Sequence, residues 1–431
     1  MTGSIRKQAT ALTLANGATR AVGFVMHLLL ARLMGAEALG VMEMAHAVDM
    51  LALTPVTAGL PAAMSRLTAR RPACDRPEVL RAGCALVKRL SLWLTPALLA
   101  LSPLLALLLG DRRVLPSLLA SLPCIALLGL GAAYSGYCYG QGEASLPARN
   151  ECVEQGVRFL LALALLWGLR GQSIAITAAL PGVAESVAAL MALMLFQRSV
   201  PLPPSRTAPS HALQQELASL AAPTVLARLC ATGMRAVSAV LLPVCLRRSG
   251  LTTAAATAQY GMLNGMAMPL MMLPGIVTSA ISMVAAPAVS GREASPARLR
   301  PLMRNLYLVG TAVGLLSTLG LWALADFLAV GLYQTSALAP LLRLMAPTAL
   351  LFGLQQVQYG MITGLGLQRR ALTGTLAGSL AQLLLVALLT PLPRVRIFGA
   401  ALAMAAGHAI TLLWGWHVVR AGLRRASEAA A

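Results

Sequence analysis

Charged residues are scarce in this chain, and acidic residues are scarcer than basic ones. Of the 431 residues only 11% are charged, with 14 Asp and Glu against 34 Lys and Arg, and aromatic residues make up 4%. The net charge of +20 could point to nucleic acid, but the arginines are scattered through short loops with few aromatic residues to stack on bases. We therefore expect no nucleic-acid partner. So little charge also excludes an ordinary soluble domain.

The chain lacks the motifs of nucleotide hydrolysis and of common hydrolases. Lys7 and Lys88 are the only lysines, and neither follows a glycine-rich turn, so no G-x-x-x-x-G-K-[ST] loop is present. H-E-x-x-H and G-x-S-x-G sequences are absent, and the seven cysteines include no C-x-x-C pair. We expect a protein that is not an enzyme, that holds no cofactor and no metal, and whose cysteines serve packing.

Apolar residues, by contrast, are abundant and occur in long runs. Hydrophobic residues make up 58% of the sequence, the mean hydropathy is +0.75, and a membrane-spanning helix needs roughly 20 mainly apolar residues. The runs predict an all-α polytopic membrane protein with about twelve transmembrane helices. The expected spans are residues 8–31, 39–65, 82–109, 114–139, 148–169, 172–197, 215–244, 255–288, 300–325, 338–363, 371–391 and 397–420.

Two internal matches indicate a repeat of two similar halves. The segment TRAVGFVMHLLLARLMG, Thr19–Gly35, aligns without gaps with MRAVSAVLLPVCLRRSG, Met234–Gly250. The segments GYCYGQG, Gly136–Gly142, and GMITGLG, Gly360–Gly366, share a G-x-x-x-G-x-G spacing. Because each half has an even number of spans, both halves enter the membrane in the same direction. The repeat is therefore parallel, and a binding site is expected in a central cavity between the halves.

The longest polar connection, which is rich in Pro and Ser, separates the two halves. We predict an N-terminal six-helix bundle over residues 1–197, a cytoplasmic linker over 198–214 and a C-terminal six-helix bundle over 215–431. Basic residues are more than twice as frequent in the loops on the side of the N-terminus as in the other loops. The positive-inside rule then places both termini in the cytoplasm.

Arginines inside the spans give the strongest functional signal. An arginine at the bilayer centre costs roughly 2.5–3.5 kcal/mol and usually faces a bundle interior or a cavity. Arg20 shares one helix face with Asn16 and His27. The repeat places Arg235 at the matching position, with Arg228 two turns before it on the same face. The arginine fork suits carboxylate or phosphate oxygens, so these residues predict binding of an anion; the alternative is that each arginine pairs with an acid or with helix carbonyls for stability.

Acidic residues of the second span are a second group of candidates. Glu43, His46 and Asp49 recur every three residues and cover about a third of the helix circumference. As cavity-lining residues, His46 and Asp49 would contact substrate, and Glu43 and Asp49 would hold a coupling proton or cation. Alternatively, Glu43 lies at the outer interface and His46 is hydrogen-bonded to a neighbour. Nothing elsewhere in the sequence completes a set of metal ligands.

The fifth and sixth spans carry a further charged set. Glu154 and Arg158 are four residues apart, a spacing that allows a pair on one helix face, either for structure or at the cavity. Glu185 lies mid-span without a local partner, so it is either paired across the bundle or a coupling-ion site. Arg158 is a candidate substrate contact, and Glu154 and Glu185 are candidate coupling residues.

Four blocks of the chain resemble one known family. They read ATRAVGFVMHLLLARLMGAEALGVMEMAHAVDMLALTPVTAGLPAAMSRL, GYCYGQGEASLPARNECVEQGVR, QYGMLNGMAMPLMMLPGIVTSAIS and LRLMAPTALLFGLQQVQYGMITGLG. In the same order, they resemble blocks of the bacterial polysaccharide exporters of the stage V sporulation protein B type. These exporters are related to the lipid II flippases within the multidrug/oligosaccharidyl-lipid/polysaccharide exporter superfamily.

The resemblance implies flipping of an undecaprenyl-pyrophosphate-linked saccharide, lipid II-like or a polysaccharide precursor. The flipping would cross the bacterial cytoplasmic membrane by alternating access, driven by the membrane potential or an ion gradient. The implied partners are the lipid-linked anionic glycan, the bilayer and enzymes of cell-wall or polysaccharide synthesis. Arg20 matches a cavity arginine of the family. In three respects the chain departs from its relatives: a further arginine of the lipid II flippases is missing near Met26 or His27, Asp49 stands where closer relatives are uncharged, and two C-terminal spans are lacking.

Two other functions are considered from the same residues. A cation-coupled multidrug exporter of the multidrug and toxin extrusion type shares the two-bundle plan and requires acids in the cavity, which Glu43, Asp49 and Glu185 would supply. A membrane-embedded glycan ligase or scaffold subunit requires a large extracytoplasmic loop, and the outer loops of this chain are short.

Overall fold

The computed structural model describes the backbone of residues 2–201, 210–291 and 295–428, and the side chains of these ranges from residue 23 onward, apart from 296, 426 and 427. No strand occurs in these ranges, and the elements are helices of 5 to 56 residues joined by short turns. The predicted all-α fold is confirmed.

The first half of the chain forms six α-helices. A single 3₁₀ turn, Arg112–Val114, precedes the fourth of them. The helices are α1 (Thr2–Thr57), α2 (Leu60–Arg70), α3 (Arg76–Leu109), α4 (Leu115–Gly140), α5 (Ser145–Gly168) and α6 (Ile174–Ser199).

The described part of the second half forms eight α-helices, because the eighth span is divided into three. The π-helical segment Met262–Ala267 lies within this span, and a second π-helical segment, Phe327–Leu332, follows the ninth span. The helices are α7 (His211–Arg248), α8 (Thr253–Gly261), α9 (Met268–Met272), α10 (Pro274–Ser290), α11 (Pro296–Ala323), α12 (Leu338–Gly364), α13 (Gln368–Leu389) and α14 (Ile397–Glu428).

The described helices match the twelve expected spans. Within the described residues, nine helices are long and apolar enough to cross a membrane, or ten when the bent pair Thr253–Met272 and Pro274–Ser290 counts as one span. The first expected span and most of the second lie in α1, which breaks at Gly35 (φ 75°), and the second continues into α2. The fifth expected span corresponds to α5, which has too many charged residues to count among the nine apolar helices. A bundle of about twelve spans accounts for the whole set.

Glycine and proline cause the breaks in the long spans. Gly35 and Gly250, which the repeat aligns with each other, both adopt positive φ, at 75° and 92°. Few residues other than glycine adopt this conformation cheaply. The span of α8 to α10 bends by 47° between a π-helical turn and Pro274, and both features interrupt helical hydrogen bonding.

The chain divides into two compact units. The first comprises Met1–Met26 and Leu33–Val240, and the second comprises His27–Arg32 and Leu241–Ala431. This division follows packing, and it assigns most of α7 to the first unit. The predicted bundles over residues 1–197 and 215–431 are defined by the repeat instead, and they stay a prediction.

Each unit has the same packing pattern. In the first, α4 packs against α2, α3 and α6, and α5 packs against α6. In the second, α12 packs against α10, α11 and α14, and α13 packs against α14. Helix α4 is thus central in the first unit and α12 in the second. The core around α4 includes Met64, and the core around α12 includes Val289. The internal repeat is confirmed at the level of packing.

The repeated glycine motif explains how the central helix packs in the first unit. A Cβ atom added at Gly136 would lie 2.6 Å from the carbonyl oxygen of Pro61, and one at Gly140 would lie 2.7 Å from that of Ser65. Two glycines therefore let α4 approach the backbone of α2. The third, Gly142, ends the motif with φ of 82°.

The second unit repeats this arrangement. A Cβ atom at Gly360 would lie 2.5 Å from the carbonyl oxygen of Ser282, and one at Gly364 would lie 2.5 Å from that of Ala286. Gly366 has φ of 68°. The G-x-x-x-G-x-G spacing is thus a packing motif of α12 on α10, equivalent to that of α4 on α2.

Replacing Gly136 with alanine should lower the free energy of unfolding by about 1–3 kcal/mol, because the added methyl group forces α4 away from α2. Gly156→Ala is the matched control. A Cβ at Gly156 on α5 meets no atom within 4 Å, so this change should be neutral or stabilise by up to about 1 kcal/mol. Thermal unfolding of the purified protein in detergent measures both variants. Equal melting temperatures would contradict the close approach of the two helices.

Candidate functional site

The first unit contains a cavity of about 580 Å³. It is lined by side chains of α1, α4, α5, α6 and α7, and its wall is a mixture of apolar and polar groups. Met50, Leu53 and Leu127 contribute apolar surface, whereas Thr54 and Ser135 contribute hydroxyl groups. A concave site with an apolar lining and a few convergent polar groups is the usual form of a ligand pocket, and this volume lies within the usual range of roughly 300–1,000 Å³.

Two arginines of α7 line this cavity. Arg228 and Arg235 are two helical turns apart, and both side chains are exposed to its interior. Between them, the Thr232 hydroxyl donates to the Arg228 carbonyl oxygen at 2.9 Å and lies 3.2 Å from the Thr54 hydroxyl of α1. This contact attaches the arginine-bearing stretch of α7 to α1. The predicted common face of Arg228 and Arg235 is therefore the cavity face, and their binding role remains a proposal.

Helix α5 supplies the acidic side of the cavity. Glu151, Glu154 and Gln155 line it from positions i, i+3 and i+4, which share one helix face. Asn150 is buried; its Nδ2 donates to the Ala192 carbonyl oxygen at 3.0 Å, and its Oδ1 has no hydrogen-bond partner. The cavity thus presents basic groups on α7 and acidic groups on α5.

Arg158 does not form the predicted pair with Glu154. Its Nη1 lies 3.3 Å from the Glu185 carboxylate of α6, and its Nη2 donates to the Gln155 side-chain oxygen at 2.7 Å. About a quarter of the Arg158 side chain and a fifth of the Glu185 side chain are exposed. Sequence spacing favoured Glu154, but the packing of α5 against α6 brings the Glu185 carboxylate to the guanidinium instead. Of the two alternatives for Glu185, pairing across the bundle is the one observed.

The triplet of the second span lies close to these charges. Asp49 is buried, interacts with the Ser121 hydroxyl of α4, and has one carboxylate oxygen, Oδ1, without a hydrogen-bond partner. His46 is exposed and lies within electrostatic range of Glu185, Arg158 and Arg235. Glu43 is half-buried and within electrostatic range of Arg235. The three residues therefore border the charged region formed by α5, α6 and α7. Within the described residues no three His, Cys, Asp or Glu side chains are arranged to hold a metal ion.

Of the three predicted residues of the first span, His27 alone has a described side chain. Asn16 and Arg20 fall outside the residues whose side chains are described. His27 belongs to the second unit, where its Nε2 lies 2.8 Å from the Gly265 carbonyl oxygen in the π-helical segment of the eighth span. It is not among the residues that line the cavity of the first unit. The predicted substrate contact at His27 therefore has a structural partner in the second unit.

Several residues of the cavity were not predicted from the sequence, because they carry no charge. Thr54, Ser135, Asn150, Gln155 and Thr232 are polar residues without charge, and only the fold brings them to one cavity. One sequence signal was available for Thr232. It lies four residues after Arg228, so it shares the helix face of the two arginines.

Comparison with known proteins places the chain in a family. A profile of the polysaccharide biosynthesis protein family matches residues 5–293. The chain belongs to this family. It is also 30% identical over 423 residues to stage V sporulation protein B of Bacillus subtilis strain 168, which covers 92% of this chain and 79% of that protein. The resemblance seen in the four sequence blocks is thus confirmed.

Solved structures of transporters share the fold of this polysaccharide biosynthesis family member. An inward-facing multidrug resistance MATE family transporter of the MOP superfamily superposes with a TM-score of 0.77 at 15% identity, covering 96% of each chain. The lipid II flippase MurJ in its inward closed conformation gives a TM-score of 0.70 at 14% identity, covering 97% of this chain and 90% of MurJ. Such low identities establish the fold alone. Family and fold together describe a multi-pass membrane protein built like a transporter.

Proposed function

We propose that this protein flips an undecaprenyl-pyrophosphate-linked saccharide across the cytoplasmic membrane. The observation that carries the proposal is the cavity of the first unit, where Arg228 and Arg235 project into a space of about 580 Å³. Burying two arginines in a membrane-spanning bundle costs free energy unless their charges are paired or hydrated, and such residues usually mark a functional site. A pyrophosphate offers both the negative charge and the pairs of oxygen atoms that a planar guanidinium group binds through two hydrogen bonds.

The two acidic residues of α5 distinguish the cavity from a site that binds only anionic groups. Glu151 and Glu154 line the same space as the two arginines, so a wholly anionic ligand would meet repulsion on one side. A ligand with a charged end and a neutral sugar end fits this division. The pyrophosphate contacts Arg228 and Arg235, the sugar hydroxyls donate hydrogen bonds to the carboxylates, and the polyprenyl chain stays in the lipid.

The driving force we propose is the membrane potential, acting through alternating access. Moving one negative charge outward across an inside-negative potential releases about 2.3 kcal/mol per 100 mV. The absence of a nucleotide-binding motif in the sequence is consistent with this source. In this proposal Arg20 joins Arg228 and Arg235 in holding the pyrophosphate during the exchange between inward-open and outward-open states.

Reconstituted vesicles test the proposal. Purified protein is placed in vesicles that contain a labelled undecaprenyl-pyrophosphate disaccharide, and the label that reaches the outer leaflet is measured with an impermeant reagent. We expect translocation above the protein-free rate, and faster translocation when a potassium diffusion potential is positive outside. The protein should also replace the lipid II flippase in depleted cells, and an Arg20→Ala, Arg235→Ala double variant should not. A translocation rate equal to that of protein-free vesicles would refute the proposal.

A second candidate function is cation-coupled drug export, and one observation favours it. Asp49 is buried and its Oδ1 has no hydrogen-bond partner, although Glu185 is within electrostatic range. A buried carboxylate inside a membrane-spanning helix is a plausible site for a proton or Na⁺. The two functions differ in what an ion gradient does: drug efflux from vesicles would require a proton or sodium gradient, and Asp49→Asn would abolish it. Lipid flipping driven by potential alone would continue in that variant.

A further inference from the structure

The second unit contains a cavity of its own, of about 220 Å³. Side chains of α12, α13 and α14 line it, among them Gln355, Gln382, His408 and Trp414. The volume is below the range of roughly 300–1,000 Å³ typical of sites for drug-sized ligands. It is therefore suited to a ligand of about one ring.

This cavity is the repeat counterpart of the cavity in the first unit. The two G-x-x-x-G-x-G motifs are 224 residues apart. Six residues of α4 line the first cavity, and four of their six counterparts on α12 at this offset line the second cavity. The pairs are Leu128 and Phe352, Gly131 and Gln355, Ala132 and Gln356, and Ser135 and Tyr359.

The two cavities differ in charge although they are equivalent in position. The first is lined by two arginines and two glutamates. None of the residues that line the second is Asp, Glu, Lys or Arg, and its polar groups are amides, hydroxyls, one imidazole and one indole. An ion entering this cavity would lose its hydration without meeting an opposite charge, which is costly in a membrane-spanning bundle. The lining of the second cavity therefore disfavours a charged ligand.

Hydrogen bonds hold the polar groups of the second cavity in fixed orientations. The Gln355 amide donates through Nε2 to the His408 carbonyl oxygen at 2.6 Å, and its Oε1 lies 2.9 Å from His408 Nδ1. Because Oε1 only accepts, His408 Nδ1 carries a proton and donates to it. Gln358 is buried and donates to the Tyr307 hydroxyl at 2.9 Å. The amide groups at the base of the cavity are thus preorganised rather than mobile.

Other groups of the same cavity are available to a ligand. The Gln382 amide has no hydrogen bond to another described residue, although its side chain lines the cavity, and the same holds for the Gln356 amide and the Ser379 hydroxyl. Trp414 donates its indole N–H to the Arg370 carbonyl oxygen at 2.9 Å, which holds the ring at the cavity wall. Amide donors and acceptors beside an aromatic surface match the hydroxyl groups and the C–H faces of a sugar ring.

We propose that the cavity of α12, α13 and α14 binds one neutral sugar residue. Its size admits one ring, its polar groups pair with hydroxyls, and its lack of charge excludes phosphates and uronic acids. This site goes beyond the translocation proposed above, because it lies in the other unit and has a binding readout that requires no transport.

Saturation-transfer difference NMR on the full-length protein in detergent tests this site. The probes are methyl β-glucoside, methyl N-acetyl-β-glucosaminide and, as the charged comparison, glucuronate. We expect transfer to at least one neutral glycoside and none to glucuronate. Gln382→Leu and Trp414→Leu should each weaken binding about tenfold, because the first removes an amide contact to the sugar and the second removes the aromatic surface. The matched control is Gln368→Leu on the same helix, whose exposed amide lies outside the cavity, and its binding should equal that of the wild type.

The outcomes separate the sugar site from the other possibilities. Absence of transfer to both neutral glycosides with folded wild-type protein, judged by its thermal transition, would overturn the proposal and leave a hydrated structural cavity. Equal transfer to glucuronate would also overturn it, as would unchanged affinity for the neutral glycoside in folded Gln382→Leu and Trp414→Leu. Loss of lipid flipping with retained glycoside binding would refute only the flippase proposal. The reverse result would refute only the sugar site.

Discussion

Replacing Arg228 and Arg235 together with glutamate should reduce flipping of the lipid-linked saccharide to the rate of protein-free vesicles, a loss of at least about 100-fold. Each guanidinium is expected to contribute a charge-assisted hydrogen bond of about 1.5–3 kcal/mol to the pyrophosphate. Two such contacts are worth a factor of about 100 or more, and reversed charge adds repulsion. The assay is the vesicle translocation measurement described above.

The matched control reverses two arginines that lie away from the cavity. Arg112 and Arg394 are exposed and do not line either cavity described above, so Arg112→Glu with Arg394→Glu changes the net charge equally. This variant should flip at the wild-type rate. A conservative variant with lysine at both cavity positions keeps the charge but loses the planar fork, so we expect an intermediate rate. Wild-type flipping by the folded Arg228→Glu, Arg235→Glu protein would show that the two arginines do not bind the cargo.

Removing one partner of the Arg158 and Glu185 pair should lower the free energy of unfolding by about 3 kcal/mol. Both side chains are largely buried, and the remaining charge would be left without its partner in a bundle that excludes water. Arg158→Met and Glu185→Met should each show this loss. The double variant should recover most of it, because two apolar residues of similar volume replace the pair. Thermal or denaturant unfolding in detergent measures all three.

An exposed ion pair provides the comparison for this cycle. Arg343 pairs with Asp326, and 42% and 67% of their side chains are exposed. Pairs in solvent contribute about 0–1 kcal/mol, so Arg343→Met should change the free energy of unfolding by less than about 1 kcal/mol. If Arg158→Met lowered the free energy of unfolding no more than Arg343→Met does, the pair would not be the internal contact described above. The same would follow if the double variant were no more stable than the single variants.

Long-range regularities of the chain were readable from the sequence. Apolar runs of bilayer length predict twelve spans, and all twelve fall on described helices. The G-x-x-x-G-x-G repeat predicts two similar halves, and Gly136 and Gly360 do occupy equivalent helix contacts in the two units. Periodicity also placed Arg228 and Arg235 on one face, because residues seven apart on a helix always share a face.

Partners between helices were not readable in this way. Arg158 pairs with Glu185, 27 residues away, instead of Glu154 one turn before it. The sequence gives the helix face of a charge, but the rotation and depth of each neighbouring helix decide which acid reaches it. His27 illustrates the same limit, since its partner is the carbonyl oxygen of Gly265, 238 residues further along the chain.

The sequence by itself determined the membrane-spanning class, the helix content, the internal repeat and the family, because each depends on composition or on spacing within one segment. Only the tertiary structure decided that the two units carry equivalent cavities with different chemistry. Charged side chains from α5 and α7 meet in the first cavity, and neutral amides from α12 and α13 meet in the second. A cavity is formed by the packing of several helices that are distant in sequence, so its contents are set by how those helices pack.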